Sequence, residues 1–230
     1  MEITLTPIIS VRECIRFGWN TFKGRPLPFI AAVIVVDGLT FLSEYVSLSL
    51  SFENPASIAW FVLSILVVVA VQIVIMTSFT LRAHDNPGTV GLRDLLYAPN
   101  GWKLVGASIL SLLAVLLGLI LLIIPGIIVA LALTFSGYLA VEGRRPMAAI
   151  KESAALTKGN RFKLFLIGLL MLVSILFSAI FLYWGETASR IAEFIVDLVV
   201  LPVVWLAFAH AYRVLQKAKS AEIVQAQPVI

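Results

Sequence analysis

From Leu104 to Val141 the chain carries no charged residue. A bilayer core about 30 Å thick is crossed by roughly 20 apolar residues at about 1.5 Å rise each. This stretch is therefore too long for one crossing. It is divided by "IIPGII", residues 123 to 128, where Pro125 cannot continue the helical hydrogen-bond ladder and Gly126 allows a tight reversal. The pattern predicts a helical hairpin, Leu104 to Ile124 followed by Gly126 to Val141. One long tilted helix is the alternative.

Four more apolar runs have the same character: Leu27 to Leu50, Ser57 to Leu81, Phe162 to Trp184 and Arg190 to Tyr212. Only 13% of residues are charged and 60% are hydrophobic, with a mean hydropathy of +1.03. Soluble domains carry about 25% charge. The expected fold is an all-α integral membrane protein of six transmembrane helices in three hairpins, each preceded by a cytoplasmic interfacial amphipathic helix. Residues 1–230 form one membrane domain, with 215–230 as a short cytoplasmic tail. The start, "MEITLTPIIS", lacks the basic flank and short apolar run of a removable signal peptide.

Of the seventeen Lys and Arg, all but Arg190 fall in the N-terminus, 82–103, 142–163 and the C-terminus. By the positive-inside rule these segments are cytoplasmic, which makes this multi-pass chain N-in and C-in. Trp19, Trp102 and Trp184 fall near span ends, where interfacial aromatics are expected, and Pro202 is expected to kink the sixth span.

A related segment stands before each hairpin: "SVRECIRFGWNTFKGRPLPFI", "TVGLRDLLYAPNGWKLVGASIL" and "PMAAIKESAALTKGNRFKLFLIGLL". Asn100, Trp102 and Lys103 align with Asn160, Phe162 and Lys163, and Lys23-Gly24 aligns with Lys158-Gly159. Pseudo-repeats of roughly 7–81, 88–142 and 146–214 follow. In the first copy Ile8, Val11, Ile15, Trp19 and Phe22 keep helical spacing, which predicts an apolar face lying on the inner leaflet. In the third, Met147, Ile150 and Ala154 form a weaker stripe, with a corner expected at Gly159.

"IPG" at 124–126, "PMAAIKES" at 146–153, "TKGN" at 157–160 and "RFGWNTFKG" at 16–24 carry a resemblance to a bacterial membrane-protein group. The group includes the membrane domain of glycerophosphoryl diester phosphodiesterases and the YciC-like inner-membrane proteins. The resemblance implies six helices in the cytoplasmic membrane and, for the stand-alone members, no settled activity. In the phosphodiesterases the catalytic unit is a separate soluble barrel, for which a chain ending at Ile230 leaves no room, so no enzymatic activity is expected.

Two sets of residues are candidates for binding. The basic boundary residues Arg16, Lys23, Arg25, Lys103, Lys158, Arg161 and Lys163 suit anionic lipid headgroups, each contributing about 1 kcal/mol near an anionic leaflet. The plain alternative is anchoring. The second set is intramembrane and acidic: Asp37 and Glu44 share one face of the first span, and Arg190, Glu193 and Asp197 share one face of the sixth. A carboxylate in the hydrocarbon layer costs about 2.5 kcal/mol or more on insertion scales. These four acids suggest an outward-facing cavity for a cation, a proton or an amine-bearing headgroup, against a structural network in which Arg190 neutralises Glu193 or Asp197.

His84 and His210 have no shared spacing and Cys14 is the single cysteine, so no metal site is expected. No phosphate loop, zinc-protease or serine-hydrolase motif is present, and neither catalytic residues nor a cofactor are expected. Basic residues confined to span boundaries do not suit nucleic acid. The reading is a non-enzymatic protein that binds or organises membrane phospholipid as a scaffold or regulator. The alternative is a transporter of a small solute, ion or lipid working through the acidic residues.

Overall fold

The computed structural model describes residues 9–48 and 54–226, and among them every regular element is helical. The order is α1 (Val11–Gly24), α2 (Pro26–Leu48), α3 (Pro55–Asp85), α4 (Gly101–Leu121), α5 (Ile123–Leu133), α6 (Ser136–Val141), α7 (Pro146–Leu156), α8 (Arg161–Gly168), α9 (Met171–Phe181) and α10 (Glu186–Ala226). Six helical segments are long and apolar enough to cross a membrane: α2, α3, α4, α5 with α6, α8 with α9, and α10. The ends of α3, α4, α6 and the 210–213 turn of α10 meet at one end of the bundle, where His84 reaches His210 and Asn100 reaches Val141. That end collects the Lys and Arg and is called the basic end below.

The hairpin in the uncharged stretch turns three residues earlier than Pro125-Gly126 suggested. Leu122 is extended (φ −166°, ψ 150°), and Pro125 is the third residue of α5. A first-turn N–H has no intrahelical acceptor, so a proline there costs little. Gly126 serves close approach instead of reversal. A Cβ on Gly118 would lie 2.9 Å from Gly126 Cα, and one on Gly126 would collide with Leu119.

The fourth span breaks between α5 and α6, and "KESAALTKGN" mends the break. Ser153 Oγ accepts the Phe135 N–H at 3.1 Å and donates to Ala132 O at 2.8 Å, while Thr157 Oγ1 lies 3.3 Å from the same carbonyl. Asn160 Oδ1 accepts the backbone N–H of Ile9 at 3.2 Å, tying the start of the chain to the start of α8. Ser153, Thr157 and Asn160 are all buried. The two hydroxyls replace helical partners that a broken ladder lacks, and the amide satisfies an N–H outside any helix, which is the usual condition for burying polar groups.

The helices before the first and third hairpins each bury a face of their own, and the helix expected before the second is missing. The buried face of α1 is Cys14, Gly18 and Phe22, whereas Trp19 is 46% exposed and Ile8 lies outside the described residues. A Cβ on Gly18 would stand 2.3 Å from Val203 O, so the small residue sets which face meets α10. In α7 the buried residues are Ala149, Ser153 and Leu156, and Met147 is exposed. Before the second hairpin only a 3-10 turn, Leu92–Leu96, forms in place of an amphipathic α-helix. Its Asp94 closes onto the Gly91 N–H and pairs with Arg82, which also covers the Tyr97 ring.

Some aligned positions do keep the same environment. Trp102 and Phe162 are exposed and Leu104 and Leu164 fully buried, while Cys14, Gly18 and Phe22 match buried Ala149, Ser153 and Thr157. Gly159, with φ +83°, makes the corner between α7 and α8. α10 is one helix of 41 residues with Pro202 inside it. The expected tail is therefore helical through residue 226, because no glycine or proline interrupts 203–226.

Candidate functional site

A cavity of about 690 Å³ opens between α2 and α10. Asp37 and Thr40 reach it from α2, one helical turn apart, and Arg190, Glu193 and Asp197 reach it from α10 at spacings of three and four. Ile34, Phe41, Ile191 and Phe194 complete an apolar wall. Three of the four acids singled out in the sequence thus line one cavity from two helices far apart in the chain. The side chain of Glu44 lies outside the described residues.

Two features of this site have no strong sequence signal. Gln72 of α3 donates to Val36 O (3.1 Å) and Thr40 Oγ1 (2.6 Å), bracing α2 one turn from Asp37. Arg190 donates to Glu186 at 2.9 Å, one turn back along α10. The sequence had offered Glu193 or Asp197 as its partner. Asp197 Oδ1 is buried with no hydrogen-bond partner among the described residues. The arrangement presents carboxylate oxygens and a guanidinium beside an apolar surface, which suits an amphiphile with a cationic end.

The basic candidates divide. Arg16, Lys23, Arg25 and Lys158 are exposed, and Lys163 is half-buried. Lys103 instead donates to Gly143 O (3.0 Å), and Arg161 to Ala154 O (3.4 Å). Both carbonyls lie at or just beyond helix ends, where a cation satisfies an unpaired acceptor and the helix dipole together. These two side chains cap the fold.

At the basic end the structure assembles a network that sequence reasoning missed. Arg213 bridges Asp85 of α3 and Glu142, which follows α6. Tyr212 Oη and Gln216 Nε2 each donate to Glu142 Oε2 at 2.7 Å. Beside them His84 Nε2 and His210 Nδ1 stand 3.2 Å apart, and the Phe17 ring of α1 packs against both imidazoles. The clue was positional: Asp85, Glu142 and Arg213 all sit at basic-end termini of predicted spans. Among the described residues no group of three or more His, Cys, Asp or Glu is placed to hold a metal ion.

In comparison with known proteins, no family, no curated protein and no solved structure matches this chain.

Proposed function

We propose that the chain is a non-enzymatic multi-pass protein of a bacterial cytoplasmic membrane that binds phospholipid, with the amine of a lipid headgroup held in the α2–α10 cavity. The supporting observation is the convergence of Asp37, Glu193 and Asp197 with Arg190 beside Ile34, Phe41 and Phe194. An ammonium group offers up to three donors and a positive charge to the carboxylates. The guanidinium faces the headgroup phosphate, and the apolar wall faces the upper acyl chains.

This reading keeps the N-in, C-in topology, because the basic end gathers the cations and the cavity lies toward the opposite end, next to Arg190 and Thr187. In a Cys14-free variant a cysteine at Thr187 is expected to label from outside the cell and one at Pro87 only after permeabilisation. Reversed labelling would overturn the orientation.

The binding experiment compares purified protein in nanodiscs of phosphatidylethanolamine, phosphatidylcholine or phosphatidylglycerol, reading retained lipid by native mass spectrometry. Retention is expected to favour the primary amine, and Asp37→Asn with Asp197→Asn to reduce it about tenfold or more. Equal retention of the three lipids, unchanged by the double substitution, would remove the proposal. If the double variant instead abolishes cation or solute flux in proteoliposomes with lipid retention intact, the transporter reading replaces it.

A further inference from the structure

A second cavity, of about 330 Å³, lies among α3, α4, the α5–α6 break, α9 and α10, and shares no lining residue with the first. Its lining is mostly apolar, including Leu112, Val115, Met171 and Phe208, with Thr77, Ser108, Ser111 and Ser136 among its polar members. Ser111 and Ser136 hydrogen-bond each other at 2.9 Å. Ser108, only 5% exposed, has a buried Oγ with no partner among the described residues, and so does the indole Nε1 of Trp205. Both line this cavity.

Two buried donors without acceptors are costly unless something supplies an oxygen. Water is a poor candidate. At about 30 Å³ per molecule the space needs roughly ten waters against a largely apolar wall. The polar residues also share a depth. Thr77 and Ser108 stand about two helical turns in from the basic ends of α3 and α4, Ser136 about one and a half turns from the end of α6, and Trp205 one and a half to two turns before the 210–213 turn of α10, roughly 7–12 Å at about 1.5 Å per residue. With headgroup layers occupying the outer 5–8 Å or so of a 40–45 Å bilayer, this is close to the boundary where acyl chains begin.

We infer that this cavity is an acyl site: the carbonyl of an ester or carboxylic acid accepts hydrogen bonds from Ser108 and Trp205, and the methylene chain runs along Leu112, Val115 and Met171. A carbonyl oxygen has two lone pairs, and a turn of the Ser108 hydroxyl or of the Trp205 ring toward the cavity brings a donor to it. Leu112 and Val115 are half-exposed, so the cavity opens onto the side of the bundle, the direction from which a chain in the bilayer enters.

The test uses the full chain in detergent, with Trp19, Trp60, Trp102 and Trp184 replaced by Phe so that Trp205 alone fluoresces. Two probes carry bromine on the acyl chain: a fatty-acid methyl ester and an intact phospholipid. Saturable quenching of Trp205 by either supports the site, and the probe that saturates at lower concentration tells whether a free chain or a membrane lipid is its occupant. Ser108→Ala is expected to weaken binding about fivefold, the loss of one hydrogen bond. Ser111→Phe with Val115→Phe fills the space and is expected to abolish saturation. Quenching that rises linearly with probe, or that the filling variant leaves unchanged, overturns the inference. Should the four-Phe background fail to fold, native mass spectrometry of the protein with its own tryptophans, with and without Val115→Phe, reads the same two probes. Equal ester and lipid adducts in both proteins would likewise overturn the site.

Discussion

At the basic end Asp85 and Glu142 close on Arg213 from different spans, and Tyr212 and Gln216 complete the coordination of Glu142. In the α2–α10 cavity Asp37, Glu193 and Asp197 line the same space with a single arginine that Glu186 already engages. The two regions contain similar residues. They differ in who satisfies them: charges at the basic end satisfy one another, while the cavity carboxylates outnumber the cations beside them. Paired charges hold helices in register. In the phospholipid-binding reading proposed above, the acidic groups that face the open volume receive a partner from outside the chain.

The sharpest way to break this comparison is to remove Arg213. Its side chain is 18% exposed, and Arg213→Ala leaves two carboxylates facing each other without a cation. The expected loss is about 2–3 kcal/mol, below the range for a fully buried pair because Asp85 is 38% exposed. Thermal unfolding in detergent measures it, and part of the loss should return when Asp85→Asn and Glu142→Gln are added. By contrast Asp37→Asn should change stability by less than about 1 kcal/mol while lowering lipid retention. A larger loss from Asp37→Asn than from Arg213→Ala would invert the assignment of the two regions.

The docking of α1 is the next test. Gly18→Val places a side chain against Val203 O and should cost about 1–3 kcal/mol as α1 shifts. Cys14 reports the shift. Burial, with Glu13 adding to it, pushes its thiol from an ordinary 9.0 up to about 11, so at pH 8 it should alkylate far more slowly than a free cysteine. Because the folded thiol keeps its proton longer than the unfolded one, this contribution to stability is full below pH 9 and fades as pH rises through 11. In the Gly18→Val protein, alkylation at pH 8 should accelerate. Unchanged labelling would mean that α1 does not rely on close approach to α10.

The smallest effect concerns the basic rim. Lys103 and Arg161 are engaged with backbone carbonyls. The useful pair is therefore Lys158 with Lys163. Changing both to Gln should lower retention of anionic phosphatidylglycerol a few-fold, against a slighter change for Lys217 and Lys219. Equal losses would mark the rim as a general anchor.

The number of spans, their approximate bounds and the side that collects the cations were all legible in the sequence. They depend on long apolar runs and on counting charges between them, quantities local to the chain. The acidic face of α10 was legible for the same reason, since spacings of three and four place Arg190, Glu193 and Asp197 together whatever surrounds them. Tertiary structure decided what these features meet. Apolar periodicity picked out the leaflet-facing side of α1 with Trp19, whereas the side that meets α10 is set by Gly18, where a Cβ would strike Val203 O, so packing distance and not hydrophobicity selected that contact. It was likewise the fold that carried Ser153 to a broken helix at Ala132 and Phe135, His84 to His210, and Asp37 to Asp197. A polar side chain is satisfied by groups that adjoin it in space. Sequence spacing reveals such neighbours within one helix and is silent about them between two.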